Sequence, residues 1–239
     1  MSLPSSSGSI SERRLLAQTA INYLPQSGII GLGSGSTVNE FISVFSKVKD
    51  QFDLYFVPGS FQTEFHLLKA GLHVVSLREF PELELVIDGA DQFTSDKILL
   101  KGGGGALFKE KILASNARHY LILAGQRKHV ALLGANGVPI PIEVSPFGVS
   151  SFISYINQNF SSQTKARIRV ESDRNNPFLT EHGNFIVDLY FSPPLENPAL
   201  FDQELILTRP EVVCTGIFAG FSPTILTTDG ANNRTLLRL

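Results

Sequence analysis

The stretch Gly31-Leu32-Gly33-Ser34-Gly35-Ser36-Thr37, GLGSGST, follows the apolar run Ile29-Ile30 and precedes Val38–Phe45, where Val38, Phe41, Ile42 and Phe45 recur at helical spacing. Glycine and hydroxyl residues between a strand and a helix let backbone N–H groups approach an anion, and the helix N-terminus adds partial positive charge. The turn is not a dinucleotide fingerprint, because after Gly31 and Gly33 the third glycine would fall at Ser36. Nor does a Lys-Ser or Lys-Thr pair follow, as a triphosphate loop requires. Ser34, Ser36 and Thr37 instead suit a single terminal phosphate.

Working outward, the chain alternates. Leu15 to Tyr23 has helical spacing, Leu54–Val57 reads as a strand, Thr63–Ala70 as a helix, and His73–Val75 and Leu85–Ile87 as further strands. Ile98–Leu100 leads into a second glycine turn, Ala106–Ala114 is a helix, and Tyr120–Ala124 is a strand. Such alternation implies a mainly parallel sheet with helices on both faces, a Rossmann-like α/β domain. From Gly134 the style changes: strand Pro139–Val144, helix Phe152–Asn159, strands Arg167–Val170 and Phe185–Leu189, and helix Ala199–Leu205. That order predicts a small α+β domain of the split βαβ, ferredoxin-like kind. Val212–Phe218 and Thr224–Thr227 are two late strands that complete it and return to the main sheet. The expected boundaries are 1–133 and 206–239 for the main domain and 134–205 for the small one.

Twenty Lys and Arg against 22 Asp and Glu give a formal net charge of -2, so the chain has no general attraction for nucleic acid. A hydrophobic fraction of 43% and no apolar run of membrane-spanning length describe a globular chain without a membrane partner. The single cysteine, Cys214, excludes an intrachain disulfide and fits a reducing cytoplasm. Five scattered histidines offer no metal constellation.

The candidate chemistry lies at strand ends. Leu85–Ile87 runs into Asp88-Gly89-Ala90-Asp91, placing two carboxylates where an open α/β sheet binds ligands. Lys101 precedes the four glycines Gly102–Gly105, and an ammonium beside N–H groups at a helix start can stabilise oxyanion charge. Glu110 shares a helix face with Ala106, so its carboxylate can point back to that turn and act as a base. Each residue alone has a plainer reading: a tight connection, turn capping, a surface lysine or a solvated glutamate. Jointly they suit proton movement between adjacent carbons of a phosphorylated sugar.

These segments, GLGSGST, IDGAD at 87–91 and LKGGGGAL at 100–107 followed by KEKI, with PIPIEV and HGNFIVD later, resemble the type A ribose-5-phosphate isomerase family. The resemblance implies interconversion of ribose 5-phosphate and ribulose 5-phosphate through an enediolate, in the pentose phosphate pathway, with no metal or organic cofactor. It implies a cytoplasmic homo-oligomer, dimer or tetramer. It assigns Glu110 as the proton acceptor, Asp88 and Asp91, with Gly89 and Ala90 between them, to the sugar oxygens, and Lys101 with Gly102, Gly103 and Gly104 to the oxyanion. Ser34, Gly35, Ser36 and Thr37 become the substrate-binding turn, and Lys128 a further substrate contact. Two departures stand out: Gln92 where the family usually has glutamate, a change that could lower the pKa values of the neighbouring aspartates, and Gly125-Gln126-Arg127 where it often carries Asp and Ser. The alternatives are a sugar-phosphate sensor without catalysis, or a sugar-phosphate deaminase or coenzyme A transferase on the same architecture. The lysine-glycine turn with Glu110 argues against the enzymes, and the short segment before the first strand leaves no room for a sensor's DNA-binding module.

Overall fold

The computed structural model describes residues 10–161, 163–171, 176–228 and 235–238. In chain order its helices are α1 (Ile10–Ala20), α2 (Ser36–Phe45), α3 (Phe61–Lys69), α4 (Leu107–Ser115), α5 (Val149–Asn159) and α6 (Pro198–Thr208). The strands are β1 (Ser27–Leu32), β2 (Asp53–Pro58), β3 (Leu83–Gly89), β4 (Gln92–Phe93), β5 (Leu99–Leu100), β6 (Ala117–Leu123), β7 (Ile140–Val144), β8 (Lys165–Ile168), β9 (Phe185–Tyr190), β10 (Val212–Thr215), β11 (Ile217–Phe218), β12 (Thr224–Thr228) and β13 (Thr235–Arg238). The chain divides into two compact units, one holding the chain up to Asp91, Lys109–His129 and the chain from Phe221, the other Gln92–Phe108 and Val130–Gly220.

The first unit is a six-stranded sheet of order β13-β12-β6-β3-β1-β2, parallel except for β13. Alternation along the strands sorts side chains to two faces. Ile30, Leu32, Leu85, Ile87, Leu121 and Leu123 pack with α1, α2 and α3 in one core. There Phe45 meets Phe56 edge-on at 5.3 Å and Phe41 at 6.0 Å, and full burial of each ring contributes about 1.5–3 kcal/mol. On the other face Gly31 lies against Val86, Leu83 and Leu113 of α4, where a Cβ would sit 2.7 Å from Val86. Helices thus cover both faces, as the alternating sequence predicts.

The second unit holds the antiparallel sheet β10-β7-β9-β8 with α5 and α6, in the chain order β7-α5-β8-β9-α6-β10. This is the expected split βαβ arrangement. Its core joins Ile142, Val144, Phe152, Val187, Leu189 and Leu205. The unit reaches beyond 134–205: the three-stranded sheet β11-β5-β4 brings in the segment 92–108, and α6 packs on β10 and β11, bringing in 206–220.

Two local expectations change. His73–Val75 is not a strand but a single bridge between Val74 and Phe56. Val212–Phe218 is broken at Gly216, whose N–H donates to the Pro141 carbonyl at 2.7 Å and whose carbonyl accepts from the Lys101 N–H at 2.8 Å. A Cβ at Gly216 would lie 2.4 Å from the Lys101 carbonyl, so only glycine permits the change of sheet there.

Candidate active site

In the first unit the chain leaves β1 for β2 on one side and then places β3 on the other, so β1 and β3 flank a topological switch point. Ligands of open α/β sheets bind outside the carboxyl ends of such strands. GLGSGST leaves β1 there, and the DGAD turn leaves β3.

Register then fixes the first contact. Leu32 pairs with Ile87, which sets Gly33 beside Asp88. The Asp88 carboxylate lies flat on Gly33, where a Cβ would come within 1.9 Å of its carboxyl carbon. Asp88 is fully buried, and its Oδ1 accepts from the N–H of Gly89 at 2.7 Å and of Ser34 at 3.3 Å. A buried carboxylate needs such donors to offset its lost hydration.

Ser34 next joins the turn to the helix on the opposite face: its hydroxyl donates to Glu110 Oε1 at 2.6 Å. Glu110 is 3% exposed, which removes the solvated reading. Below the turn, Thr63 of α3 donates its hydroxyl to the Gly33 carbonyl at 2.7 Å, and Ser60 caps α3 by accepting from the Thr63 N–H. Gly35 precedes α2 at φ 89°, a conformation that favours glycine. Ser36 is exposed and Thr37 buried in the first turn of α2, where the leading N–H groups have no intrahelical acceptor. Lys128 closes the rim by donating to the Ala90 carbonyl at 2.5 Å, and Asp91 sits half-buried at the end of the same turn.

Ser34, Asp88, Ala90, Glu110 and Lys128 are therefore brought together in this unit. Tyr120 belongs with them, and the sequence reading missed it. Paired with Val86 two residues before Asp88, it lies on the Asp88 face of the sheet. Burial, then Asp88, then Glu110 push its phenol well above the ordinary tyrosine range. An apolar-looking strand residue gives no sequence signal of this; Thr63 gives none either.

The second unit holds Lys101 and the glycine turn. Lys101 is 3% exposed, not a surface lysine, with its ammonium 5.6 Å from the Phe218 ring centre. Gly102 is buried and Gly103 and Gly104 exposed. The carbonyls of Gly102 and Gly103 accept from Arg169 at 2.7 and 3.1 Å. Gln92 uses both ends of its amide in this unit, donating to the Ala135 carbonyl at 2.7 Å and accepting from the Gly134 N–H at 2.8 Å. An ionised carboxylate could accept from Gly134 but not donate to Ala135, so glutamine makes one bond here that a glutamate in that form could not. Gly125, the other departure, lies in the first unit against the Glu12 carboxylate, 2.6 Å from where its Cβ would be. An aspartate there would collide with a like charge.

Among the described residues no group of three or more His, Cys, Asp and Glu is arranged to hold a metal ion, and no helix is long and apolar enough to cross a membrane.

The sequence model of the family described as ribose 5-phosphate isomerase A (phosphoriboisomerase A) matches residues 55–231. The chain belongs to this family. A ribose-5-phosphate isomerase A of Korarchaeum cryptofilum is 37% identical over 228 residues, 94% of this chain and 96% of the relative. One from Bartonella quintana is 36% identical over 214 residues, 88% and 89% of the two chains. The ribose 5-phosphate isomerase of Plasmodium falciparum superposes with a TM-score of 0.86 at 28% identity, covering 96% of this chain and 98% of its own. A D-ribose-5-phosphate isomerase in complex with phospho-erythronic acid gives a TM-score of 0.84 at 30% identity, covering 90% and 93%. Family membership accounts for the main sheet and the small antiparallel domain together.

Proposed function

We infer that this chain is a ribose-5-phosphate isomerase, interconverting ribose 5-phosphate and ribulose 5-phosphate through an enediolate. The observation that carries the reading is the Ser34–Glu110 hydrogen bond of 2.6 Å. It sets a buried carboxylate beside a phosphate-type turn and above a second buried carboxylate, Asp88. A base placed among fixed donors is what proton transfer next to a carbonyl needs.

In the proposed reaction Glu110 removes the proton from C2 of the open-chain aldose. The C2–H electron pair forms the C1–C2 double bond, and the C1 carbonyl pair moves onto its oxygen. Glu110 returns the proton to C1 while the proton of the C2 hydroxyl passes to the C1 oxygen, leaving a ketone at C2 and a hydroxyl at C1. Asp88 and Asp91, with Gly89 and Ala90 between them, serve the hydroxyl protons. Lys101 and the N–H groups of Gly102, Gly103 and Gly104 serve the charged oxygen, for which one well-placed donor contributes about 3 kcal/mol. Ser34, Gly35, Ser36 and Thr37 with Lys128 hold the phosphate end.

We further propose that the protein works as a cytoplasmic homo-oligomer in the pentose phosphate pathway. Cys214, buried and unbridged, fits a reducing compartment. Phe61, Phe65 and Leu68, all exposed along one side of α3, supply the kind of apolar area that subunit contacts cover.

The test is to treat the protein with a chelator, add ribose 5-phosphate and follow ribulose 5-phosphate, with Glu110→Gln in parallel. Turnover by the wild type and its loss in the variant support enzyme and base together. Binding of the sugar phosphate without ketose formation would favour the sensor reading.

A further inference from the structure

The glycine turn that carries the proposed oxyanion donors is held by a residue the sequence reading passed over as an ordinary strand position. Arg169 has its backbone fixed on both sides, its N–H donating to the Ile186 carbonyl at 2.7 Å and its carbonyl accepting from the Phe178 N–H at 2.8 Å. Its guanidinium then divides its donors. Nε and Nη2 form a fork on the two oxygens of Asp188, at 2.9 and 2.5 Å. Nη1 reaches the Gly102 carbonyl at 2.7 Å and the Gly103 carbonyl at 3.1 Å. The Arg169 and Asp188 side chains are 14% and 9% exposed.

A trans peptide is planar, with its C=O and the following N–H pointing in opposite directions. Holding the Gly102 and Gly103 carbonyls on one guanidinium therefore aims the N–H groups of Gly103 and Gly104 to the opposite side of the turn. Glycines would otherwise leave those peptide planes free to rotate, since they adopt either sign of φ at little cost. Gly102 is at φ 98° and Gly105 at φ 83°, and the Gly105 N–H closes the turn on the Gly102 carbonyl at 3.0 Å. Phe178 packs where a Gly105 Cβ would be, 2.5 Å away, and Pro141 lies 3.0 Å from a Gly102 Cβ. The small unit's sheet is thus a platform on which this turn is clamped.

We propose that Arg169, oriented by Asp188, is a positioning residue that fixes the peptide planes of Gly102–Gly104 so that two N–H groups face the developing oxyanion. The proposal rests on the isomerase reading above. Asp188 neutralises the guanidinium and locks its rotation, so the arginine acts through the carbonyls it binds and not as a second phosphate ligand. Arginine is required because an ammonium cannot fork on a carboxylate and reach two carbonyls from one rigid plane.

The experiment compares wild type with Arg169→Ala, Arg169→Lys and Asp188→Asn. Arg169→Ala should lower kcat for ribose 5-phosphate by about 100-fold, with KM changed less than about threefold, the signature of an interaction felt only in the transition state. Affinity for phospho-erythronic acid, whose carboxylate stands in for the enediolate charge, should fall more than affinity for ribose 5-phosphate. Arg169→Lys should recover little of the loss, Asp188→Asn should show part of it, and added guanidinium should restore much of the turnover of Arg169→Ala. Unchanged kcat, or a fall in kcat matched by a rise in KM without guanidinium rescue, overturns the proposal. Backbone relaxation read on Gly103 and Gly104 separates it from the isomerase reading. The N–H order parameters should fall from about 0.85 to below about 0.6 in Arg169→Ala. That fall in Arg169→Ala, found together with a wild type inactive on ribose 5-phosphate, would sink the isomerase reading and leave the clamp standing. Unchanged order parameters would sink the clamp whatever the activity.

Discussion

At the residue scale, Glu110 and Ser34 make different predictions because in the proposed reaction one takes the proton and the other holds that acceptor. Glu110→Gln keeps the hydrogen bond from Ser34 but removes the proton acceptor, so kcat should fall by about 10³-fold with KM nearly unchanged, a general-base loss. Ser34→Ala leaves the base in place and removes a bond to a charged group worth about 1.5–3 kcal/mol; steady-state kinetics should show a loss of roughly tenfold, smaller than that of Glu110→Gln. Equal losses in the two variants would mean that Glu110 is only a structural acceptor. Lys128, bonded to the Ala90 carbonyl, should act mainly on binding, and Lys128→Ala should raise KM more than it lowers kcat. Asp88, Glu110 and Lys101 are singled out as candidates by the sequence because Asp88 and Lys101 are charged residues at strand ends beside glycines and Glu110 follows in the helix that the second glycine turn opens. Tyr120 and Thr63 were not, because their importance comes from sheet register and a long-range bond. Arg169 and Asp188 occupy a middle ground: a charged residue inside the apolar strand FIVDLY signals a buried partner, but not which one.

At the scale of elements, the strand-turn-helix unit was readable from GLGSGST because glycine and hydroxyl residues there are demanded locally. Gly35, at φ 89° with nothing within 4 Å of a Cβ, tests this cleanly. Gly35→Ala introduces only backbone strain, about 1–3 kcal/mol, at the residue that opens α2. Calorimetry should show a loss of that order and kinetics a raised KM for ribose 5-phosphate. A gain in stability would mean the turn relaxes without using the left-handed conformation. Gly33→Ala is the contrasting case, since its Cβ must displace a buried carboxylate and so costs packing as well as geometry. Where the reading of elements failed, long-range contacts decided. His73–Val75 has strand composition but touches β2 through one bridge, and Val212–Phe218 is apolar throughout yet changes sheets at Gly216 because Pro141 and Lys101 claim its peptide groups. Periodicity reports local preference, and neither bond is local.

At the scale of the whole molecule, folding traps a phenol among carboxylates, and this sets how stability responds to alkali. Tyr120 has its pKa pushed well above the ordinary value of 10.0 by burial, Asp88 and Glu110, and its hydroxyl has no hydrogen-bond partner among the described residues. The folded state therefore keeps the phenol proton at a pH where the unfolded chain has released it. With fewer protons bound in the unfolded state, stability falls as pH rises. The loss begins near pH 10 and proceeds at about 1.4 kcal/mol per pH unit for this one group. Tyr155 and Tyr190 are raised in the same direction but are only half-buried, so they add smaller slopes to every variant alike. Tyr120→Phe removes the titrating group and leaves the ring packed, edge-on to Phe221 at 6.4 Å between centroids. Below pH 9 its Tm should stay close to that of the wild type, since an unbonded buried hydroxyl contributes little to stability. Above pH 10 the two curves should separate, the variant holding its Tm while the wild type declines. Curves that stay parallel to pH 11 would mean that Tyr120 ionises within the folded protein and is not held neutral beside Asp88 and Glu110. The electrostatics of the proposed site would then have to be redrawn around a phenolate.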